Sequence, residues 1–374
     1  MDFVKGMDIS TLIEEEQHGA KYYDNGVEED CLVILKRYGT NSVRIRLWNN
    51  PYSPDGKPYG AGTNDLEKVI ALSKRAKEHG MSVLLDFHYS DFWADPGKQF
   101  PPKKWQGKSA EELTKLVYEY TTEVLSKLVS LGLAPQMVQV GNEITNGCMW
   151  PLCNRHYGRP EGAPDTYFNT NLRDALNAGI KAVREICPEA IVMLHLDNGG
   201  NNQLYRDWFD GYFACGGADF DVMGLSYYPF WHGNLAALEY NLKDCGQRYK
   251  KPMYLAEVST GFTMDDYASY EGLGPDERKG YATREELTKN LDYPMSKEGQ
   301  KAFMEHVTRL LKSLPDNLGR GYYYWEPAWI PVPGVGWATW EALEYTGEKG
   351  PCGNEWANQA LFDYDGNALP ALKI

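Results

Sequence analysis

Met137-Val138-Gln139-Val140-Gly141-Asn142-Glu143 is a short apolar run that stops on a glycine, an amide and an acid. It is too short for a helix and rich in valine, so it reads as a buried strand with polar groups at its C-terminal end. Runs of the same kind recur along the chain, at Phe3–Asp8, Ser42–Trp48, Ser82–His88, Met137–Asn142, Ile191–Leu196, Asp221–Tyr228, Pro252–Glu257 and Gly321–Trp325. Between them lie segments with apolar residues at helical spacing, among them Asp65–His79, Ala110–Leu131, Asn171–Ile186 and Lys297–Leu314. Strands that alternate with helices pair in parallel through crossovers, and eight such units predict an α/β fold of the (β/α)8, or TIM, barrel type. An open doubly wound sheet would carry a glycine-rich phosphate turn after its first strand, and Asp8-Ile9-Ser10-Thr11 is not one.

A barrel needs about 250 residues, and loop insertions account for the rest of a 374-residue chain. No Pro-, Gly- or Ser-rich linker interrupts it and no repeat is visible, so residues 1–374 are expected to form a single domain. Three connections are long, Trp48–Asn64, Tyr89–Ser109 and Gly261–Lys297, and so is Glu326–Leu361 after the last strand. All four follow the C-terminal ends of strands, where a barrel keeps its active site.

Composition narrows the partners. A net charge of -14 repels phosphate backbones and anionic lipid, so nucleic acid and membrane surfaces are excluded and a neutral ligand is favoured. Seven cysteines without paired CxxC spacing indicate neither a zinc site nor a disulfide framework; Cys148 and Cys153 are near enough to bridge, and free thiols fit equally well. No stretch is long and apolar enough to span a bilayer. The first strand begins directly behind the initiator methionine, as in a mature domain whose leader has been removed. An extracellular or cell-surface monomer is therefore expected.

Polar residues end nearly every predicted strand: Asp8, Arg46, Asp86 with His88, Asn142 with Glu143, Asp197, Tyr227 with Tyr228, Glu257, and Trp325 with Glu326. One rim carboxylate alone is commonly a cap or an ion-pair partner, but a ring of them is poor packing and points to chemistry. Glu143 and Glu257 end strands four and seven, which lie on opposite sides of an eight-stranded barrel and face each other across its mouth. Glycosidic cleavage with retention needs two carboxyls about 5–5.5 Å apart, one protonated to donate to the leaving oxygen and one ionised to attack the anomeric carbon. Glu143 is the expected acid/base and Glu257 the expected nucleophile. Arg46 is the expected cation holding Glu257 ionised, and Asn142 the expected partner of the sugar 2-hydroxyl. Asp8 completes the predicted ring of substrate contacts.

The runs Lys5–Ser10, Val43–Trp48, Asp86–Gln99, Gln139–Gly147, Gly224–Gly233 and Ala360–Asp363 resemble glycoside hydrolase family 53, the endo-β-1,4-galactanases, and they occur in the expected order. The resemblance implies a (β/α)8 barrel of the retaining type, with its acid/base and nucleophile ending strands four and seven. It implies that Arg46, His88, Asn142, Tyr228 and Trp325 support the two acids, and that Asp91, Trp93 and Trp231 line the cleft. Adjacent strand residues point opposite ways, so only one of Tyr227 and Tyr228 faces the nucleophile. Some members hold calcium between the loops after strands seven and eight. Here Met264–Lys297 has Asp265, Asp266, Glu271, Asp276 and Glu277 without an alternating oxygen-cage pattern, so no metal or cofactor is expected.

Polysaccharides stack on aromatic rings, and Trp93, Trp105, Trp150, Trp231, Trp329, Trp337 and Trp340 fall in the predicted C-terminal loops. Several rings in an open groove favour endo cleavage. That the sugar is β-1,4-galactan rests on the resemblance. The rivals are a β-1,4-glucanase or mannanase on the same barrel, and a carbohydrate-binding protein without catalysis. A metal hydrolase is disfavoured because the seven histidines form no HxH or HExxH cluster.

Overall fold

Each of the eight runs forms a strand, and in a computed structural model describing residues 2–267, 285–349 and 352–374 they close into one parallel barrel. The strands are β1 (Val4–Asp8), β2 (Ser42–Leu47), β3 (Ser82–Phe87), β4 (Met137–Val140), β5 (Ile191–Leu196), β6 (Val222–Tyr227), β7 (Met253–Val258) and β8 (Gly319–Tyr324). Each pairs with its sequence neighbours, and β8 closes on β1. Their ends differ from the sequence reading by a residue or two. Trp48, His88, Asn142, Tyr228 and Trp325 lie just past the last strand residue, where the backbone is free to turn toward the barrel mouth.

Seven main helices pack around the barrel: α1 (Cys31–Arg37), α2 (Leu66–Glu78), α3 (Ala110–Ser130), α4 (Thr170–Ile186), α5 (Asn202–Ala214), α6 (Leu235–Tyr249) and α7 (Lys297–Ser313). Every one begins with a side chain that accepts an otherwise unpaired backbone N–H: Asp30, Asp65, Ser109, Asn169, Asn201, Asn234 and Ser296. Such caps contribute about 1 kcal/mol each. A hairpin, Tyr22–Asp24 with Val27–Glu29, was not expected from the sequence. Its Asn25-Gly26 turn has φ of 52° and 81°, a strong hairpin signal, but its second strand is exposed and lacks an apolar pattern.

The barrel interior is filled in layers. Toward the strand N-termini, Leu84, Met137, Met193, Val222, Tyr254, Ala256 and Tyr323 form an apolar cluster. Gly6 leaves room for the Tyr323 ring, which a Cβ there would meet at 2.3 Å. Above that plug the inward side chains turn polar: Arg44, Asp86, Gln139, His195 and Ser226, all buried. All seven cysteines are free thiols, Cys148 and Cys153 included. Among the described residues no helix is long and apolar enough to cross a membrane.

One irregularity decides where the chemistry sits. Leu225 pairs with Leu255, but Ser226 pairs with Glu257, so β7 carries one extra residue at Ala256. Tyr254 and Ala256 belong to the interior cluster, and strict alternation would turn Glu257 outward. The bulge turns Glu257 inward instead.

Candidate active site

A cleft of about 570 Å³ opens over the C-terminal ends of the strands, with Glu143 and Glu257 in its floor. Glu143 follows Gly141-Asn142 on a tight turn off β4. Gly141 has φ 86° and Glu143 itself φ 45°, a left-handed conformation rare for a glutamate and the kind of local strain that collects at functional sites. A carboxylate oxygen of Glu143, one of Glu257 and a ring nitrogen of His195 all lie within 4.8 Å of one another.

The two acids sit in different electrostatic settings. Glu257 Oε1 meets Arg44 Nη2 at 2.9 Å, and its Oε2 accepts the Tyr228 hydroxyl at 2.7 Å. Burial lifts its pKa above the usual carboxylate range, and the Arg44 cation and the Tyr228 hydrogen bond pull it part of the way back. Among the described residues Glu143 has no ion-pair partner. Burial lifts it well above the usual carboxylate range and the charges of Glu257 and Asp197 add to that, against the hydrogen bond that Ser226 Oγ donates to Oε1 at 2.6 Å. Of the two, Glu143 is the one built to keep a proton.

Arg44 is the hub beneath them. It also pairs with Asp8 at 2.7 Å and Asp86 at 2.8 Å, and donates to Asn142 Oδ1 at 2.7 Å. Burial pushes Asp86 up, yet Arg44 and His88 hold it below its ordinary value. His88 accepts the Trp48 indole N–H at Nδ1 and so turns its Nε2 proton to Asp86, 2.9 Å away.

Three expectations need correction, and the open choice between Tyr227 and Tyr228 is decided. The cation beside Glu257 is Arg44, not Arg46. Both point inward, but barrel strands are staggered by shear, and the strand-end residue is not at the height of its opposite number. Arg46 still borders the cleft: it pairs with Glu326 at 2.5 Å, and its guanidinium lies 4.3 Å from the centre of the Trp93 ring. Asp8 is fully buried beneath the cleft and acts on Arg44 instead of on substrate. Asp91 is likewise buried away from the cleft, accepting the backbone N–H groups of Asn50 and Lys103 and so tying two loops together. Tyr227 turns outward against Phe303 with its hydroxyl on Gly233 O, leaving Tyr228 as the inward tyrosine.

His88, Asn142, Trp93, Trp231, Trp325 and Tyr228 all line the cleft. Asn142 Oδ1 is occupied by Arg44, and Nδ2 donates to Ala94 O at 2.8 Å, so toward a ligand it is a donor. Among the other tryptophans, Trp337 lines the cleft. Trp105 and Trp329 are buried, Trp150 donates to Asn146 O, and Trp340 stands exposed outside the cleft. Sequence reasoning missed Trp356, which packs 5.0 Å from Trp325 in the cleft wall, and Lys98, Lys349 and Glu355 beside it. Nothing in their loops has a period that marks them. It also missed His195 and Ser226, which read as ordinary strand residues.

Glu143, His195 and Glu257 are the one group among the described residues with metal-ligand spacing. Both oxygens of Glu257 and both nitrogens of His195 already have partners, and Arg44 supplies positive charge there. Of the acids weighed for calcium, Asp265 and Asp266 are exposed or half-buried loop residues, while Glu271, Asp276 and Glu277 lie outside the described residues.

Comparison with known proteins bears on this arrangement. The family model described as glycosyl hydrolase family 53 matches residues 4–374. The chain is 38% identical to the endo-beta-1,4-galactanase of Bacillus subtilis (strain 168), an alignment covering 100% of this chain and 85% of that protein. Among solved structures it is similar to the family 53 catalytic domain of Ignisphaera aggregans, with TM-score 0.87, 38% identity, and 100% and 95% of the two chains covered. It is also similar to a fungal beta-1,4-galactanase, with TM-score 0.75, 30% identity, and 98% and 97% covered.

Proposed function

The chain belongs to glycosyl hydrolase family 53 and is a glycoside hydrolase, and from that footing we propose that it cleaves internal β-1,4-galactosidic bonds of galactan or type I arabinogalactan with retention of configuration. The observation that carries the mechanism is the approach of Glu143 and Glu257 carboxylate oxygens to within 4.8 Å, which goes with the roughly 5–5.5 Å carboxyl spacing of retaining pairs and not with the roughly 6.5–9.5 Å of inverting ones. Glu257 attacks the anomeric carbon while Glu143 gives its proton to the departing glycosidic oxygen, leaving a glycosyl ester on Glu257. Glu143, now a carboxylate, takes a proton from water, which attacks the anomeric carbon and releases Glu257 as a carboxylate.

The surroundings support these roles. Arg44 and Tyr228 favour the charged form of Glu257, as a nucleophile needs, and burial favours the protonated form of Glu143. The remaining N–H of Asn142 is a donor suited to a sugar 2-hydroxyl. Trp93, Trp231, Trp325, Trp337 and Trp356 along an open cleft suit a polymer bound in mid-chain. The chain is proposed to act as a monomer without a resident metal; light scattering at working concentration and activity after chelation test both points.

Substrate is the part carried by kinship, since the galactanase names belong to the relatives. Reducing-sugar release should be found on galactan and be at least an order of magnitude slower on glucomannan and cellulose. Faster release on either of the latter would overturn the substrate assignment. Glu257→Ala should abolish turnover yet still bind galacto-oligosaccharide; unchanged turnover would remove Glu257 from the mechanism.

A further inference from the structure

Behind Glu143 lies a chain of buried polar groups that the scheme above does not use. Arg44 Nε donates to Gln139 Oε1 at 3.2 Å. Gln139 Nε2 gives one hydrogen to Asp86 Oδ1 at 2.6 Å and turns the other toward His195 Nδ1 at 3.0 Å, shared with Asn142 Oδ1 at 3.1 Å and Gly141 O at 3.2 Å. His195 Nε2 is 2.8 Å from Ser226 Oγ, and Ser226 Oγ is 2.6 Å from Glu143 Oε1. His195 and Ser226 are wholly buried.

The direction of each bond follows from what its members can do. An arginine only donates and a carboxylate only accepts, so the Gln139 amide is fixed with its oxygen to Arg44 and its nitrogen to Asp86. His195 Nδ1 therefore faces one amide N–H from Gln139 and another from the Glu143 backbone at 3.4 Å. Asn142 Oδ1, 3.0 Å away, already accepts from Arg44 and shares the Gln139 hydrogen, whereas the Glu143 backbone N–H can only donate to Nδ1. Nδ1 is thus an acceptor. Burial first, and Arg44 next, keep the ring neutral. A neutral ring accepting at Nδ1 carries its proton on Nε2, and that proton goes to Ser226 Oγ. The serine hydrogen is left for Glu143.

We propose that His195 and Ser226 form a one-way hydrogen-bond relay that occupies Glu143 Oε1 and so confines the transferable proton to Oε2, the oxygen left to face the cleft. His195 and Ser226 are positioning residues: they touch no substrate and act through Glu143. With the opposite ring tautomer, Nε2 would accept the only serine hydrogen and Oε1 would lose its donor. The relay also stabilises the carboxylate that remains once the proton has gone, and it offsets the groups that hold the proton on Glu143. Those groups are Glu257 on β7, Asp197 after β5 and Asp95 after β3, acting together with burial, while the Arg44 guanidinium is paired with Glu257.

This inference rests on the acid/base role of Glu143, and its tests separate the two. In 15N-labelled protein the His195 ring should be the Nε2–H tautomer at neutral pH; an Nδ1–H ring overturns the relay. In Ser226→Ala, 13C NMR should find the Glu143 carboxyl titrating about one pH unit higher than in the wild type, and an unmoved titration overturns the relay. The basic limb of kcat/KM should shift up by the same unit with KM within about twofold, and Ser226→Thr, which keeps the hydroxyl, should restore it. A profile scaled down without shifting means a purely structural serine and also overturns the relay. The ring tautomer is read on the wild type, so it stands even if a variant fails to fold. The NMR readings need no substrate: a wild type inert on galactan would sink the proposed function and leave them intact.

Discussion

Arg44 and Glu257 are joined across the barrel by an ion pair, Nη2 to Oε1 at 2.9 Å, with both side chains buried. The same guanidinium holds Asp8 and Asp86, beside Arg46 at 3.9 Å from Asp8 and the His88 ring at 2.9 Å from Asp86. Removing it in Arg44→Met strips buried Glu257 of its paired cation, and a loss of about 3–5 kcal/mol in stability is expected on chemical denaturation. Arg44→Lys keeps the charge but not the fork. With two charge-assisted bonds lost, kcat/KM should fall by about a hundredfold. Because Arg44 lowers the pKa of Glu257, its removal should also move the acid limb of the pH–rate profile to higher pH.

Adjacent tyrosines should behave oppositely. Tyr228→Phe removes the hydrogen bond to Glu257 Oε2, and kcat should drop by about tenfold or more, the worth of a bond to a charged acceptor. Tyr227→Phe removes only the bond to Gly233 O and should leave kcat and KM alone while lowering stability by about 1 kcal/mol. Steady-state kinetics and melting curves on the pair check both.

Trp231 borders the cleft with 38% of its surface exposed, whereas Trp340 is 62% exposed and outside it. Trp231→Ala should raise KM for galactan by roughly tenfold with little change in kcat, as expected from loss of a sugar-stacking surface of some 60 Å². Trp340→Ala should change neither constant. A larger effect at Trp340 would mean that sugar is bound beyond the described cleft.

Glu326 links pH to stability. Burial, opposed by Arg46, pushes its pKa up to about 7. Between its unfolded value near 4.5 and about 7 the folded protein then holds more protons than the unfolded chain, so this contribution is full below pH 4.5 and is lost as the pH rises through 7. Glu15, buried with no partner for either oxygen among the described residues, is pushed the same way. Melting temperature should fall from pH 5 to 7.5, and in Glu326→Gln the fall should be shallower. An equally steep fall in the variant would assign the slope to other groups.

The barrel was legible because strands enclosed on both faces are short and apolar, and because capped helices separate them at regular intervals. The facing positions of Glu143 and Glu257 could be reached by counting strands. What could not be read lies in heights and partners. The choice of Arg44 over Arg46 depends on the stagger of the barrel. The inward turn of Glu257 depends on a bulge at Ala256 that leaves no mark in Met253-Tyr254-Leu255-Ala256-Glu257. Asp91 looks like a cleft residue until Asn50 and Lys103, far along the chain, are seen to claim it. His195 sits in a run, Met193-Leu194-His195-Leu196, whose alternation says only that it points inward.

The configuration of the first product tests the facing acid pair most directly. Proton NMR of galactan oligosaccharide hydrolysis, followed from the first turnovers before mutarotation, should show the new reducing end as the β-anomer. Initial release of the α-anomer would mean a single displacement by water, and Glu257 would not be the nucleophile.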